Sequence, residues 1–266
     1  MSPLKISLFF SLITIIWIKQ GIGKSGTPPI LTAQSFSINY ADKVTVPKEK
    51  DIVIVSPYAE IQGKKDQAHA YISLTELSRN SPLFEHLPKE AVVSENTAWS
   101  SCLVQIDHPE WHVIIKKELD FILKQGYRNI FIDTVDGVET LCQKVPKKCQ
   151  IYQRNAVMLI RLIRERMSGT LIANRGFSIY QDIDTFVQGV LIESFFYGKN
   201  ENRYETRTEE EMKWLKMWVE RLRSDGKLVL AVDYAENLSS DQKADLHKKA
   251  GQLDMLWRLD HESLQY

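Results

Sequence analysis

From Ser35 onward the apolar positions fall into short unbroken runs, most of which close on a polar or aromatic residue. Eight runs are candidate strands: Phe36 to Tyr40, Asp51 to Tyr58 (DIVIVSPY), His69 to Leu74 (HAYISL), Asn129 to Asp133 (NIFID), Thr170 to Asn174 (TLIAN), Val187 to Glu193 (VQGVLIE), Lys227 to Asp233 (KLVLAVD) and Leu253 to Leu259. Continuous hydrophobicity, rather than alternation, is what parallel strands covered on both faces require. Helical patterns separate several of the runs. Trp111 to Lys124 sets Trp111, Ile114, Ile115, Ile122 and Leu123 at helical spacing and stops at Gly126. Glu209 to Arg223 opens with a T-x-x-E box (Thr208, Glu211), carries Met212, Leu215, Trp218, Val219 and Leu222 on one face and ends at Gly226. Tyr152 to Met167 is a third, in which apolar residues alternate with arginine.

Eight such strands with helices between them predict an α/β fold, a closed (β/α)8 barrel. Only about ten residues separate the first three runs, fewer than the dozen or more of a parallel crossover, so the first two crossovers must be shortened. No linker rich in Gly, Ser or Pro divides residues 35–266, which predicts a single barrel domain there. Residues 25–34 then read as a linker. The chain of 266 residues suits one barrel of about 250.

Composition excludes disorder: 44% of residues are hydrophobic, and 34 basic side chains meet 34 acidic ones. Neutrality offers no general attraction to nucleic acid. The balance includes an N-terminal segment, however, in which Lys5 precedes the apolar stretch ISLFFSLITIIWI (Ile6 to Ile18) and a short polar region follows. Thirteen residues are too few to span a bilayer, which needs about 20, but they suit a signal peptide. Residues 1–24 therefore read as a signal peptide or a short N-terminal anchor. Without Lys5, Lys19 and Lys24 the mature chain holds 31 basic residues against 34 acidic, a net charge of −3. The expected location is secreted or periplasmic, or membrane-anchored if the segment stays. The chain is expected to be a monomer.

Three cysteines pass through an oxidising compartment on that reading. Cys142 and Cys149 enclose QKVPKK and are candidates for a bridge, with Cys102 a buried free thiol. No pair has CxxC spacing, and neither a metal nor a cofactor is expected. Gly21, Gly23 and Gly26 match G-x-G-x-x-G, but they precede Thr27-Pro28-Pro29 where a dinucleotide site needs a strand and then a helix. His108 and His112 stand four apart, yet Asp107, Pro109 and Glu110 read better as the start of a helix than as a metal site.

Carboxylates collect where barrel strands end, which is where barrel enzymes place their active sites. Asp133 ends NIFID and Asp136 follows it; Glu193 ends VQGVLIE, Asp233 ends KLVLAVD, and Glu76 lies just beyond HAYISL. Acids after apolar runs are costly to bury unless paired or used. Tyr40, Tyr58, Tyr197 and Tyr234 sit at or beyond strand ends as well. Aromatic rings beside carboxylates suit a sugar, and two carboxylates are the minimum equipment of a glycosidase.

The ordered motifs carry a resemblance. FIDTVDGVE (131–139) resembles the "DGVFLDTVD" element of the endo-α-1,4-polygalactosaminidases, glycoside hydrolase family 114, and of the related hydrolase modules of Pel polysaccharide proteins. AYISLTEL (70–77), LIANRGF (171–177), GVLIESFF (189–196) and VLAVDY (229–234) are similar to further strands of the family, in order, and Trp99, Asp107 and Trp111 fit its third crossover. Thr75 stands where the family usually has glycine before the acid at 76.

The resemblance implies a secreted barrel hydrolase, retaining and endo-acting, on α-1,4-linked galactosamine polymers such as those of biofilms. It implies Asp133 as nucleophile and Glu193 as general acid/base. Tyr40, Tyr58, Glu76, Asp136, Asn174, Tyr197, Asp233 and Tyr234 would bind substrate. The expected partner is an amino-sugar polysaccharide, with no nucleic acid, and a membrane only if the N-terminal segment is uncleaved. A polysaccharide-binding barrel without catalysis is the alternative, and a glycosidase for another amino sugar a third reading.

Overall fold

The computed structural model describes residues 31–46, 52–200, 203–235 and 237–261. The expected signal segment, the glycine motif at 21–26 and most of the expected linker lie outside the described residues. Eight parallel strands form one sheet: β1 (Phe36–Asn39), β2 (Ile52–Val55), β3 (His69–Ser73), β4 (Asn129–Asp133), β5 (Leu171–Asn174), β6 (Gly189–Glu193), β7 (Leu228–Asp233) and β8 (Leu256–Leu259), hydrogen-bonded in that order. Strand β8 returns alongside β1, so the sheet curls into a nearly closed TIM barrel. All eight apolar runs become barrel strands.

Period-two alternation divides each strand between two cores. Phe36, Ile38, Ile52, Ile54, Phe131, Ile172, Leu191, Leu230 and Val232 meet inside the barrel. Their sequence neighbours point outward. Val55, Ala70, Ile132 and Ala173 pack against α1 (Pro109–Lys124) and α3 (Cys149–Arg166) through residues such as Ile115, Leu119 and Leu159. Val190, Ile192, Val229 and Ala231 pack against α5 (Glu209–Ser224) and α6 (Ser240–Gln252) through Leu215, Val219 and Leu246.

The caps follow the sequence with one correction. Thr208 and Glu211 form the reciprocal box at α5, and Ser239 with Gln242 forms another at α6. At α1 the cap is His108, whose Nδ1 accepts from the Glu110 amide at 3.3 Å, while Asp107 pairs with Lys148 at 3.0 Å instead of capping. Two short helices join these: α2 (Gly137–Lys144) before α3, and α4 (Tyr180–Ile183) after β5. Cys142 and Cys149 form a disulfide that ties α2 to α3, and Cys102 is a buried free thiol.

The shortened crossovers carry no α-helix among the described residues. Lys43–Thr45 and Glu60–Gln62 pair in parallel instead, a two-stranded ribbon outside β1 and β2. The third crossover is the opposite. Glu76–Ser78, Val92–Asn96 and Ser101–Val104 make a three-stranded antiparallel sheet above the barrel before α1 begins. The hydrophobic pattern predicts none of that sheet, because its strands lack unbroken apolar runs and include polar residues such as Ser78, Glu95 and Asn96.

His69 opens β3 almost fully buried, with Nε2 2.8 Å from Thr170 Oγ1 and Nδ1 unpartnered. Burial pushes its pKa down to about 3. The unfolded chain, with an ordinary histidine near 6.5, binds the extra proton first, so stability falls as pH drops from about 6.5 toward 3, by at most about 1.4 kcal/mol per pH unit from this group. Denaturant unfolding at several pH values should show a shallower acid slope for His69→Leu than for wild type; identical slopes would exclude the assignment.

Candidate active site

The alternation that fills the barrel also selects what stands on top of it. Asp133 is two residues beyond Phe131, Asn174 two beyond Ile172, Glu193 two beyond Leu191, Tyr234 two beyond Val232 and Tyr40 two beyond Ile38. The same inward parity brings these five to the C-terminal mouth. Asn174, buried between the acids, donates through one nitrogen to Asp133 Oδ1 at 2.7 Å and to Glu193 Oε1 at 3.0 Å. Two bonds to one atom hold these oxygens within 5.7 Å of each other, the sum of the bond lengths.

The residue after each of these three side chains is left-handed without being glycine: Thr134 (φ 54°), Arg175 (φ 53°) and Ser194 (φ 53°). Such backbone costs on the order of 1–2 kcal/mol per residue and persists where contacts over-determine it. Here they do. Ser73 Oγ lies 2.8 Å from Thr134 Oγ1, Thr75 Oγ1 donates to the Thr134 carbonyl at 2.8 Å, and Arg207 donates twice to the Ser194 carbonyl at 3.0 and 2.9 Å. Thr75, in place of the usual glycine, thus serves as a brace for the turn after Asp133. A Cβ on Gly137 would lie 2.0 Å from Thr75 Oγ1, so a glycine is needed at 137.

The two acids have different surroundings. Burial raises Asp133, opposed by hydrogen bonds from Asn174, the Thr134 amide and Tyr71. Glu193 is pushed up to about 7, by burial first and then by the Asp133 charge, with Arg175 and Asn174 acting in the other direction. Arg175 donates to the Glu193 carbonyl at 2.6 Å and lies 3.5 Å from Asp136, whose carboxyl burial still pushes up to about 6.

The cleft over this pair has a volume of about 600 Å³, within the usual range for ligand sites. Tyr40, Tyr58, Glu76 and Tyr234 line it, and Glu76 is held by Ser101 at 2.5 Å and Asn96 at 3.1 Å from the antiparallel sheet. Its charged lining is wholly acidic among the described residues: Asp42, Glu76, Glu118, Asp133 and Glu193, without a lysine or arginine. Tyr71, Glu118 and Arg175 went unnoticed in the sequence. Tyr71 shares the inward parity of its strand with Ser73 and could have been found that way; Glu118 sits mid-helix on α1, where nothing in the sequence marks it.

Two expected binding residues stand elsewhere. Asp233 has the outward parity of Val229 and Ala231 and is fully buried, accepting from the Phe196 and Tyr197 amides at 3.0 and 2.9 Å and from Trp257 Nε1 at 2.6 Å. It braces the loop after Glu193 and does not reach the cleft. Tyr197 lines a separate cavity of about 530 Å³ between α5 and α6, which holds no pair of free acids: Asp245 there is bound to Lys249 at 2.7 Å. Asp136 stands beside the pair, within the electrostatic reach of both acids, though outside the cleft lining.

The sequence model of the glycoside-hydrolase family GH114 matches residues 22–266. The chain belongs to glycoside hydrolase family 114. Among solved structures, this GH114 chain is similar to the glycoside hydrolase domain of PelA from Pseudomonas aeruginosa (20% identity, 88% of this chain and 97% of that one, TM-score 0.69). It is also similar to Aspergillus fumigatus Ega3 in complex with galactosamine (12% identity, 91% and 98%, TM-score 0.69). At those identities the likeness is one of fold. Curated relatives include uncharacterised proteins of Methanocaldococcus jannaschii (26% identity over 173 residues, 56% of this chain and 45% of the relative) and Thermotoga maritima (27% over 153 residues, 54% and 46%). The aligned region spans about half the length of each.

Replacing Asp233 with Asn would leave one acceptor oxygen for three donors and add N–H groups among them. The loss should be about 2–4 kcal/mol, read as a lower midpoint of denaturant unfolding. An unchanged midpoint would remove the bracing role.

Proposed function

We propose that this family 114 chain is an exported, retaining endo-glycosidase that cleaves α-1,4-linked galactosamine polymer, with Glu193 as acid/base and Asp133 as nucleophile. The observation that carries the reading is the Asn174 amide shared by the two acids. Oxygens held within 5.7 Å fit the spacing of a retaining pair, about 5–5.5 Å, better than the 6.5–9.5 Å that leaves room for an attacking water. The unlike settings supply the roles. Glu193, raised to about 7, keeps the proton that the leaving oxygen needs, and Asp133, with three hydrogen bonds to its charged form, is the acid ready to attack.

Asp133 attacks the anomeric carbon while Glu193 passes its proton to the glycosidic oxygen, and the C–O bond breaks. A water then yields its proton to the Glu193 carboxylate and its oxygen to the anomeric carbon, which frees Asp133. Asn174 holds both partners through the cycle. The acid-only cleft suits a polymer bearing protonated amines. The galactosamine in the Ega3 complex supports the same substrate class. Export rests on the apolar segment Ile6 to Ile18, and N-terminal sequencing of exported protein should find the segment gone.

Purified protein should release reducing ends from deacetylated α-1,4-galactosamine polymer. Glu193→Gln should cost about 10²–10⁴-fold in kcat, and Asp133→Asn should abolish turnover. Tight binding without cleavage by wild type would select the non-catalytic alternative. In wild type, kcat should fall as pH rises through about 7, where Glu193 loses its proton. The raised carboxyl also makes the folded state lose stability as pH rises from about 4.5 to about 7, because over that range the unfolded chain is ionised while the folded one still holds the proton. Glu193→Gln should therefore flatten the fall in stability between about pH 4.5 and 7.

A further inference from the structure

The cleft continues past the acid pair to the foot of the antiparallel sheet, where a carboxylate and two exposed rings stand unused by the chemistry. Glu118 projects from α1 into this outer end. It accepts one bond, from the Tyr58 hydroxyl to Oε2 at 2.7 Å, and among the described residues Oε1 has no donor and the carboxylate no basic partner. Tyr58 is stacked on Phe121 with ring centroids 4.8 Å apart, which fixes its plane while leaving 46% of the residue exposed. Trp99, across the same cavity, is 52% exposed. An unpaired carboxylate in a partly desolvated place costs free energy unless something cationic joins it, and burial raises Glu118 accordingly.

We propose that Glu118, Tyr58 and Trp99 form an outer subsite that recognises a free, protonated 2-amino group on a sugar remote from the scissile bond. The rings offer faces on which a pyranose can stack. The Oε1 of Glu118 supplies the acceptor that an ammonium group requires and that a neutral N-acetyl group does not exploit. The subsite would therefore select deacetylated stretches of polymer by a contact that the acid pair does not make. This rests on the amino-sugar reading above.

Calorimetry on the Glu193→Gln protein, with oligomers of α-1,4-galactosamine long enough to fill the cleft, compares fully deacetylated and fully N-acetylated ligands of equal length. Adding Glu118→Gln should weaken binding of the deacetylated oligomer about tenfold and leave that of the acetylated one within about twofold. Trp99→Ala, which removes stacking only, should weaken both alike. If Glu118 merely holds the Tyr58 ring, Tyr58→Phe and Glu118→Gln will weaken both oligomers equally, and the proposal falls. No change on Glu118→Gln also overturns it, with unaltered unfolding midpoints as the check that the variants fold. Cleavage by wild type separates the two readings: if deacetylated polymer is cut and Glu118→Gln changes nothing, only the outer subsite fails; if wild type neither cuts nor binds it, both fail.

Discussion

In a barrel strand, each step of one residue turns a side chain from the interior to the helix layer, and the whole molecule obeys that alternation. The interior residues Phe131, Ile172 and Leu191 fill the barrel because their neighbours Ile132, Ala173 and Ile192 are already committed to the helices. The next inward positions, 133, 174 and 193, have no apolar layer above them. They can therefore be polar at the mouth of a barrel whose lower part is dry. The cost of placing two acids there is reduced by one amide between them and by the left-handed turns that redirect the chain directly afterwards.

That arrangement makes the centre interdependent. Asn174 donates to both acids, so neither carboxylate can move without loosening its bond to the other's partner. Thr134 and Ser194 hold strained backbone through bonds supplied by neighbouring loops, from Thr75, Ser73 and Arg207, and Arg175 through its own amide, which donates to the Leu191 carbonyl. Asp233 adds support from behind, where it joins the loop after β6 to β7 and β8. Side chains on strand ends, rather than on long loops, inherit the rigidity of the barrel.

The antiparallel sheet of the third crossover gives the cleft its length. It presents Ser101 and Asn96 to Glu76, and its connection carries Trp99 to the outer end. Among the described residues the first two crossovers have no α-helix, and Tyr58 lies close enough to α1 for its hydroxyl to reach Glu118. Shortening on one side and insertion on the other together shape the barrel mouth into a cleft whose charged lining, among the described residues, is acidic.

Much of this was legible along the chain. Unbroken apolar runs showed the eight strands, because strands covered on both faces leave no polar alternation; the acids that close NIFID and VQGVLIE stood out because a carboxylate after an apolar run is costly to bury, and the structure brings the two together at the barrel mouth. The parity of KLVLAVD held a signal that the expectation of Asp233 as a substrate-binding residue overlooked: with Leu230 and Val232 inside, Tyr234 faces the mouth and Asp233 the helices, where it is a buried brace. Tertiary structure alone decided the rest. The distance between Asp133 and Glu193, the Asn174 bridge, the displacement of Tyr197 to another cavity and the arrival of Glu118 beside Tyr58 all join residues 19 to 60 positions apart. Local patterning fixes which face a side chain takes on its own element; which side chains of other elements it then meets depends on how those elements close around the barrel.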